Sequence, residues 1–178
     1  MKKKIILRAP VLTRSGYGEH GRFVLRSLRE YEDYFDIYVL PVNWGQCGWL
    51  YEDNEERRWI DSLVKKTAHY QSATNGQARF DISVQVTIPN EWQRMAPVNI
   101  GITAGIETSR VAPVWLEKAN LMDKIITVSN HSKNVYETTE YQGVNKQTGQ
   151  SALLKCNKEI TVIHYPVNKF EYSDLNLD

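Results

Sequence analysis

The chain has 178 residues, which at roughly 150 residues per domain leaves room for one compact unit spanning 1–178 and none for a second large one. Its 42% apolar share is that of a globular protein, and 22 basic against 21 acidic residues leave a net charge of +1, which excludes gross disorder and bulk nucleic-acid binding. The charge-free stretches, Ile37 to Tyr51 and Met95 to Ile106 among them, fall short of the ~20 residues that cross a bilayer. The start, Met1-Lys2-Lys3-Lys4-Ile5-Ile6-Leu7-Arg8, lacks the long apolar core of a signal peptide. Cys47 and Cys156 are the only cysteines and have no metal-ligand spacing, so a disulfide framework is excluded. A cytoplasmic protein without a transmembrane segment is expected.

Lys4 to Ala9 is a short apolar run that Pro10 ends, and it reads as a first strand followed by a loop into glycines. From Gly18 onward Val24, Leu25 and Leu28 fall at helical spacing, with Arg22, Arg26 and Arg29 on the other faces. Phe35 to Leu40 alternates and is β-branched or aromatic, and Pro41 closes it. Trp59, Ile60, Leu63 and Val64 then predict a helix from about Glu55 to His69. Asp81 to Thr87 and Val98 to Thr103 are two further strands, separated by the loop around Pro89-Asn90-Glu91-Trp92, which has no room for a long helix. Pro113 suits a first helical turn, where its missing amide proton has no partner anyway, and that helix is expected to reach Asp123. Lys124 to Val128 reads as a strand, and Ser129 caps a helix through His131 and Val135 to about Thr138. Gln142 to Asn157 is a loop or an irregular hairpin, and Glu159 to His164 is a last strand that Pro166 ends.

Strands alternating with helices predict an α/β fold, a Rossmann-like three-layer sandwich with a mostly parallel sheet of about six strands. Ligands on such sheets bind at the carboxyl ends of the strands. The segments there hold many of the glycines and most of the unusual polar residues.

Gly16-Tyr17-Gly18-Glu19-His20-Gly21 matches G-x-G-x-x-G after a strand and at a helix start, as a dinucleotide-binding turn requires. Two departures weigh against NAD. Pro10 to Ser15 intervene between strand and glycines, and the end of strand two offers Leu40-Pro41-Val42-Asn43, with no carboxylate for a ribose; Asp36 is at the wrong end. What stays is that glycines let backbone amides approach an anion, at a helix end carrying partial positive charge; the same glycines can equally make a tight turn and nothing more. In Thr103-Ala104-Gly105-Ile106-Glu107-Thr108-Ser109-Arg110, Glu107 can take a proton from an acceptor hydroxyl or bind sugar hydroxyls, and equally can form an i, i+3 ion pair with Arg110 that only fixes the loop. Asn90 and Glu91 are a rival pair at a neighbouring strand end. His20, His69, His131 and His164 show no zinc spacing, and no metal is expected; His131 can face the cleft, whereas His164 reads as packed in its strand. No G-x-S-x-G elbow occurs. Trp44, Trp49 and Tyr51 crowd one loop, either as a platform for a sugar ring or as plain packing.

Taken together, Ser15-Gly16-Tyr17-Gly18, Ile106-Glu107-Thr108-Ser109-Arg110-Val111-Ala112-Pro113-Val114-Trp115, Met122-Asp123-Lys124-Ile125-Ile126-Thr127-Val128-Ser129-Asn130-His131-Ser132 and Glu159-Ile160-Thr161-Val162-Ile163-His164-Tyr165-Pro166-Val167-Asn168 resemble the amino-terminal half of retaining GT-B glycosyltransferases of the group 1, or family 4, set. The most specific element is the ordered pair of an E-T-S-R-x-x-P-x-W loop and a D-x-I-x-x-x-S strand end. The resemblance implies one half of a GT-B fold, in which this domain binds chiefly the hydroxyl acceptor and a second, carboxyl-terminal domain, absent from the sequence, holds the nucleotide-sugar. It implies transfer from the nucleotide-sugar with no metal and no separate cofactor, and no turnover by this domain alone. Glu107 is then the first candidate for catalysis and acceptor binding. Gly16, Tyr17 and Gly18 match the loop that approaches donor phosphates or acceptor, with Asn90, Glu91, Arg110, Ser129 and His131 completing the set. Many relatives place a histidine after strand three; here Ile88-Pro89-Asn90-Glu91 stands there, so none carries over. The alternatives are an NAD-type oxidoreductase domain and a non-catalytic sugar- or protein-binding module of the same fold.

Overall fold

A computed structural model describes residues 2–144, 149 and 151–166. Its centre is a six-stranded sheet in the order β2-β1-β3-β4-β5-β8, every neighbouring pair parallel. The strands are β1 (Lys3–Ala9), β2 (Phe35–Pro41), β3 (Ile82–Val86), β4 (Val98–Thr103), β5 (Lys124–Thr127) and β8 (Ile160–Val162). Between them run α1 (Gly16–Arg29), α2 (Glu55–Ala73), α3 (Pro113–Ala119) and α4 (Asn130–Thr138). The fold is the expected Rossmann-like α/β class. Residues 142–157, expected as a loop or hairpin, contribute to the antiparallel pair β6 (Glu140–Val144) and β7 (Ser151–Lys155), which stands apart from the main sheet.

Several boundaries move, each for a local reason. α1 begins at Gly16 rather than after Gly18, because Ser15 is its cap: the Ser15 hydroxyl accepts the Gly18 N–H at 2.9 Å. α3 stops at Ala119, where Asn120, Leu121 and Met122 turn the chain directly into β5. β8 is short, and His164, read as packed in a strand, lies beyond it, exposed, with its Nδ1 2.9 Å from the Val128 carbonyl oxygen.

One face of the sheet carries Ile5, Leu7, Ile37, Val39, Val84, Val86 and Ile102, buried against Leu25 of α1 and Ile60 and Leu63 of α2. The same α2 runs along the edge strand β2, and its Tyr70 reaches Tyr38 and Phe80 of the opposite face. That face is covered farther along by Trp92, Leu116 of α3, and Val135 and Tyr136 of α4.

The step from β3 to β4 uses residues 87–97 and a single 3₁₀ turn at Pro89–Glu91 in place of a long helix. The inward polar residues of these central strands hold that strap. The Gln85 side chain donates to the Gln93 carbonyl at 2.6 Å and accepts the Gln93 N–H at 3.2 Å. Asn99 Oδ1 accepts the N–H groups of Met95 and Ala96, at 2.8 and 3.1 Å. Trp92 lies on Gly101, where a Cβ would come within 2.8 Å of the indole. The buried amides of Gln85 and Asn99 are tolerated here because each is bonded, whereas Thr87 Oγ1 and Trp92 Nε1 are buried without a hydrogen-bond partner among the described residues.

Candidate functional site

After β1 the chain passes to β2, returns across β1 to β3 and then continues outward, so the topological switch lies between β1 and β3. Parallel strands bring the segments that follow β1, β3, β4 and β5 to one rim. There Tyr17, from the first turn of α1, reaches the end of β4: its hydroxyl lies 2.9 Å from Thr103 Oγ1 and accepts the Ala104 N–H at 3.2 Å. The glycine turn and the loop carrying Glu107 are therefore tied together by one side chain. Burial raises the Tyr17 phenol above its ordinary range, against the opposing effect of its bonds to Thr103 and Ala104.

The glycines divide by role. A Cβ on Gly18 would sit 2.3 Å from the Thr13 carbonyl oxygen, and one on Gly21 would sit 2.9 Å from the Ala9 Cβ. Both are required by the close packing of α1 on β1 and its loop. A Cβ on Gly16 meets nothing within 4 Å, so this exposed position has open space beside it. The loop before the helix is internally bonded, with the Thr13 hydroxyl donating to the Pro10 carbonyl at 2.8 Å.

Glu107, Ser129 and His131 line one open pocket of about 450 Å³ together with Ala104, Gly105, Ile106 and Ser132. Gly105 makes the turn into it with a φ of +88°, a backbone state that favours glycine. Ser129 caps α4 by accepting the Ser132 N–H at 3.1 Å, which places the positive end of that helix at the pocket. The exposed His131 ring has Nε2 3.3 Å from the Thr108 carbonyl oxygen; donating there leaves Nδ1 as the nitrogen able to accept a proton. An exposed carboxylate, an imidazole and a helix N-terminus in one pocket can bind a hydroxyl and take its proton.

Arg110 is not part of this pocket. It turns to the hairpin, donating to the Glu140 carbonyl at 2.6 Å and lying over the Tyr141 ring, and among the described residues it makes no ion pair with Glu107. Asn90 is exposed on the 3₁₀ turn. Glu91 is half-buried and committed to Arg8: their side chains are 3.5 Å apart, and Arg8 also donates to the Glu91 carbonyl at 3.2 Å. The sequence reading passed over Arg8, although an arginine inside an apolar strand was the available signal. Thr103 opens the cluster that runs to Arg110, but nothing in the sequence marks it as the partner of Tyr17.

Trp44 packs on Tyr17 with ring centroids 4.6 Å apart. The loop that carries it is tied to the loop after β1 by the Arg14 N–H on the Gly48 carbonyl, at 2.8 Å, and the Leu50 N–H on the Leu12 carbonyl, at 2.9 Å. Arg22, expected on an outer helix face, is buried and donates to the carbonyls of Val11 and Thr13 at 2.8 and 2.9 Å. Among the described residues no group of three or more His, Cys, Asp and Glu is placed to hold a metal ion, and no helix is long and apolar enough to cross a membrane. No protein-family model matches the chain, and no curated protein and no solved structure matches it.

Proposed function

We propose that this is the acceptor-side domain of a GT-B glycosyltransferase, which with a nucleotide-sugar-binding domain opposite its rim transfers a sugar to a hydroxyl, with retention. The observation that carries the reading is the Tyr17 hydroxyl on Thr103 Oγ1 and the Ala104 N–H. It makes the glycine turn and the Glu107 loop two parts of one rim. In this reading Glu107 binds the acceptor hydroxyl and draws off its proton, and His131 and the α4 N-terminus orient it.

The NAD reading is weakened by the space around Gly18, which the Thr13 and Pro10 carbonyl oxygens fill. A pyrophosphate needs donors at that position, and these groups are acceptors. In the two-domain enzyme Glu107→Gln is expected to lower kcat/KM by about 10²- to 10⁴-fold. Incubated alone with sugar nucleotides and hydroxyl acceptors, the 178-residue chain is expected to give no transfer. Full activity of the Glu107 variant, transfer by this domain alone, or tight NADH binding followed by fluorescence would each overturn the reading.

A further inference from the structure

We infer that Trp44, backed by Tyr17, is the platform on which a pyranose ring of the acceptor stacks, so that the accepting hydroxyl belongs to a carbohydrate. The inference rests on the reading of this rim as an acceptor site and names the class of acceptor.

Three features set Trp44 apart from an indole that merely fills space. Trp92 is fully buried in the second core, and Trp59 and Trp115, half-buried like Trp44, pack against the two cores, whereas Trp44 belongs to neither cluster and stands at the rim. Its position is fixed from two sides. The Tyr17 ring lies 4.6 Å away at 38°, and Tyr17 is itself held by Thr103 and Ala104. The turn after Trp44 is closed by the Cys47 N–H on the Trp44 carbonyl at 3.1 Å, with Gly45 at a φ of +52°. Gly16, next to Tyr17 in the chain, has open space where a Cβ would stand.

The chemistry of the ligand follows from the surface. An aromatic face is electron-rich, and a pyranose presents one side of weakly positive C–H groups to it while its hydroxyls stay at the edge. Tyr17 connects the platform to the loop that leads from Ala104 to Glu107, which puts aromatic stacking and polar recognition on one continuous strip. A flat apolar ligand would use the indole and leave the carboxylate pocket without a partner; a small aliphatic alcohol would do the reverse. A sugar uses both.

The test is an NMR titration of the whole 178-residue protein with the methyl glycosides of glucose, galactose, mannose and N-acetylglucosamine, with glycerol as the non-cyclic polyol. At least one glycoside is expected to bind, with its ring protons saturated on irradiation of the tryptophan resonances. Trp44→Ala is expected to weaken that glycoside by about tenfold, and Trp44→Phe, which keeps an aromatic face, by about threefold or less. Absence of binding by every glycoside, or a Trp44→Ala protein that binds as the wild type does, overturns the platform. If Trp44→Ala does not fold, the Trp44→Phe protein decides: the saturation must move from the indole to the new phenyl resonances, and any other result overturns it. A Glu107→Gln arm separates the two claims. Binding that depends on Trp44 but not on Glu107 keeps the platform and removes Glu107 from acceptor binding, its catalytic role being tested by the kcat/KM of the two-domain enzyme; binding that depends on Glu107 but not on Trp44 overturns the platform and keeps Glu107 in the acceptor site.

Discussion

Gly105 and Gly16 stand at two ends of what a glycine can be required for. Gly105 combines a φ of +88° with a Ser132 Oγ that would lie 2.0 Å from an added Cβ, so neither the backbone nor the neighbour can give way cheaply. Gly105→Ala is expected to cost about 2–4 kcal/mol in urea denaturation, the sum of left-handed strain and overpacking. Gly16 has open space and a helical backbone, so Gly16→Ala is expected to change stability by less than about 1 kcal/mol, in the stabilising direction. Equal costs for the two would contradict this division. The same comparison bears on function, because loss of ligand binding in a fully stable Gly16→Ala protein would show that the open space is used.

The loop between β1 and α1 depends on an interaction that helical periodicity does not reveal. Arg22 lies on the helix, yet its guanidinium serves the loop, meeting the Val11 and Thr13 carbonyls while Glu19 balances its charge at 2.6 Å. Arg22→Met leaves two buried carbonyls without a donor and is expected to cost about 2–4 kcal/mol. Arg29→Met, which removes the exposed pair with Glu55 and the guanidinium over the Trp59 ring, is expected to cost about 1 kcal/mol. Comparable urea midpoints for the two variants would show that the loop does not need Arg22. The strap over β3 and β4 follows the same logic, since Gln85 and Asn99 replace with hydrogen bonds the apolar cover a crossover helix supplies. Polar and apolar residues alternate in these strands, and the structure buries both sets, Ser83, Gln85 and Asn99 on one face and Val84, Val86 and Ile102 on the other.

Across the molecule as a whole, the two faces of the sheet are covered unequally. Ile126 and Ile163, with Ile102 and with Phe23 and Leu28 of α1, line a trough of about 660 Å³. His20 forms part of its wall, its ring in edge contact with Tyr165 at 4.9 Å. Burial holds its pKa down at about 4, so the folded protein binds fewer protons than the unfolded chain at mildly acidic pH. Its contribution to stability is complete above the ordinary imidazole value of about 6.5 and is lost as pH falls from there toward about 4. Between pH 7 and pH 5 the wild type is expected to lose about 2 kcal/mol more than His20→Gln. Parallel stability curves for the two proteins would remove His20 from this account.

Strand-length apolar runs, helical spacing in α1 and α2, and the cap at Ser129 are local properties, and local rules were enough to place the elements and the class of fold. The same rules brought Glu107, Ser129 and His131 to strand ends, because parallel strands deliver every such end to one rim. They could not assign partners. That Tyr17 meets Thr103, that Glu91 is taken by Arg8, that Arg110 leaves Glu107 for the hairpin and that Arg22 is buried are all contacts between positions whose separation in space is set by how helices settle on the sheet. Periodicity says which side of an element faces inward; only the packed chain says which polar group waits there, and that is what turns a buried arginine or threonine from a cost into a tie.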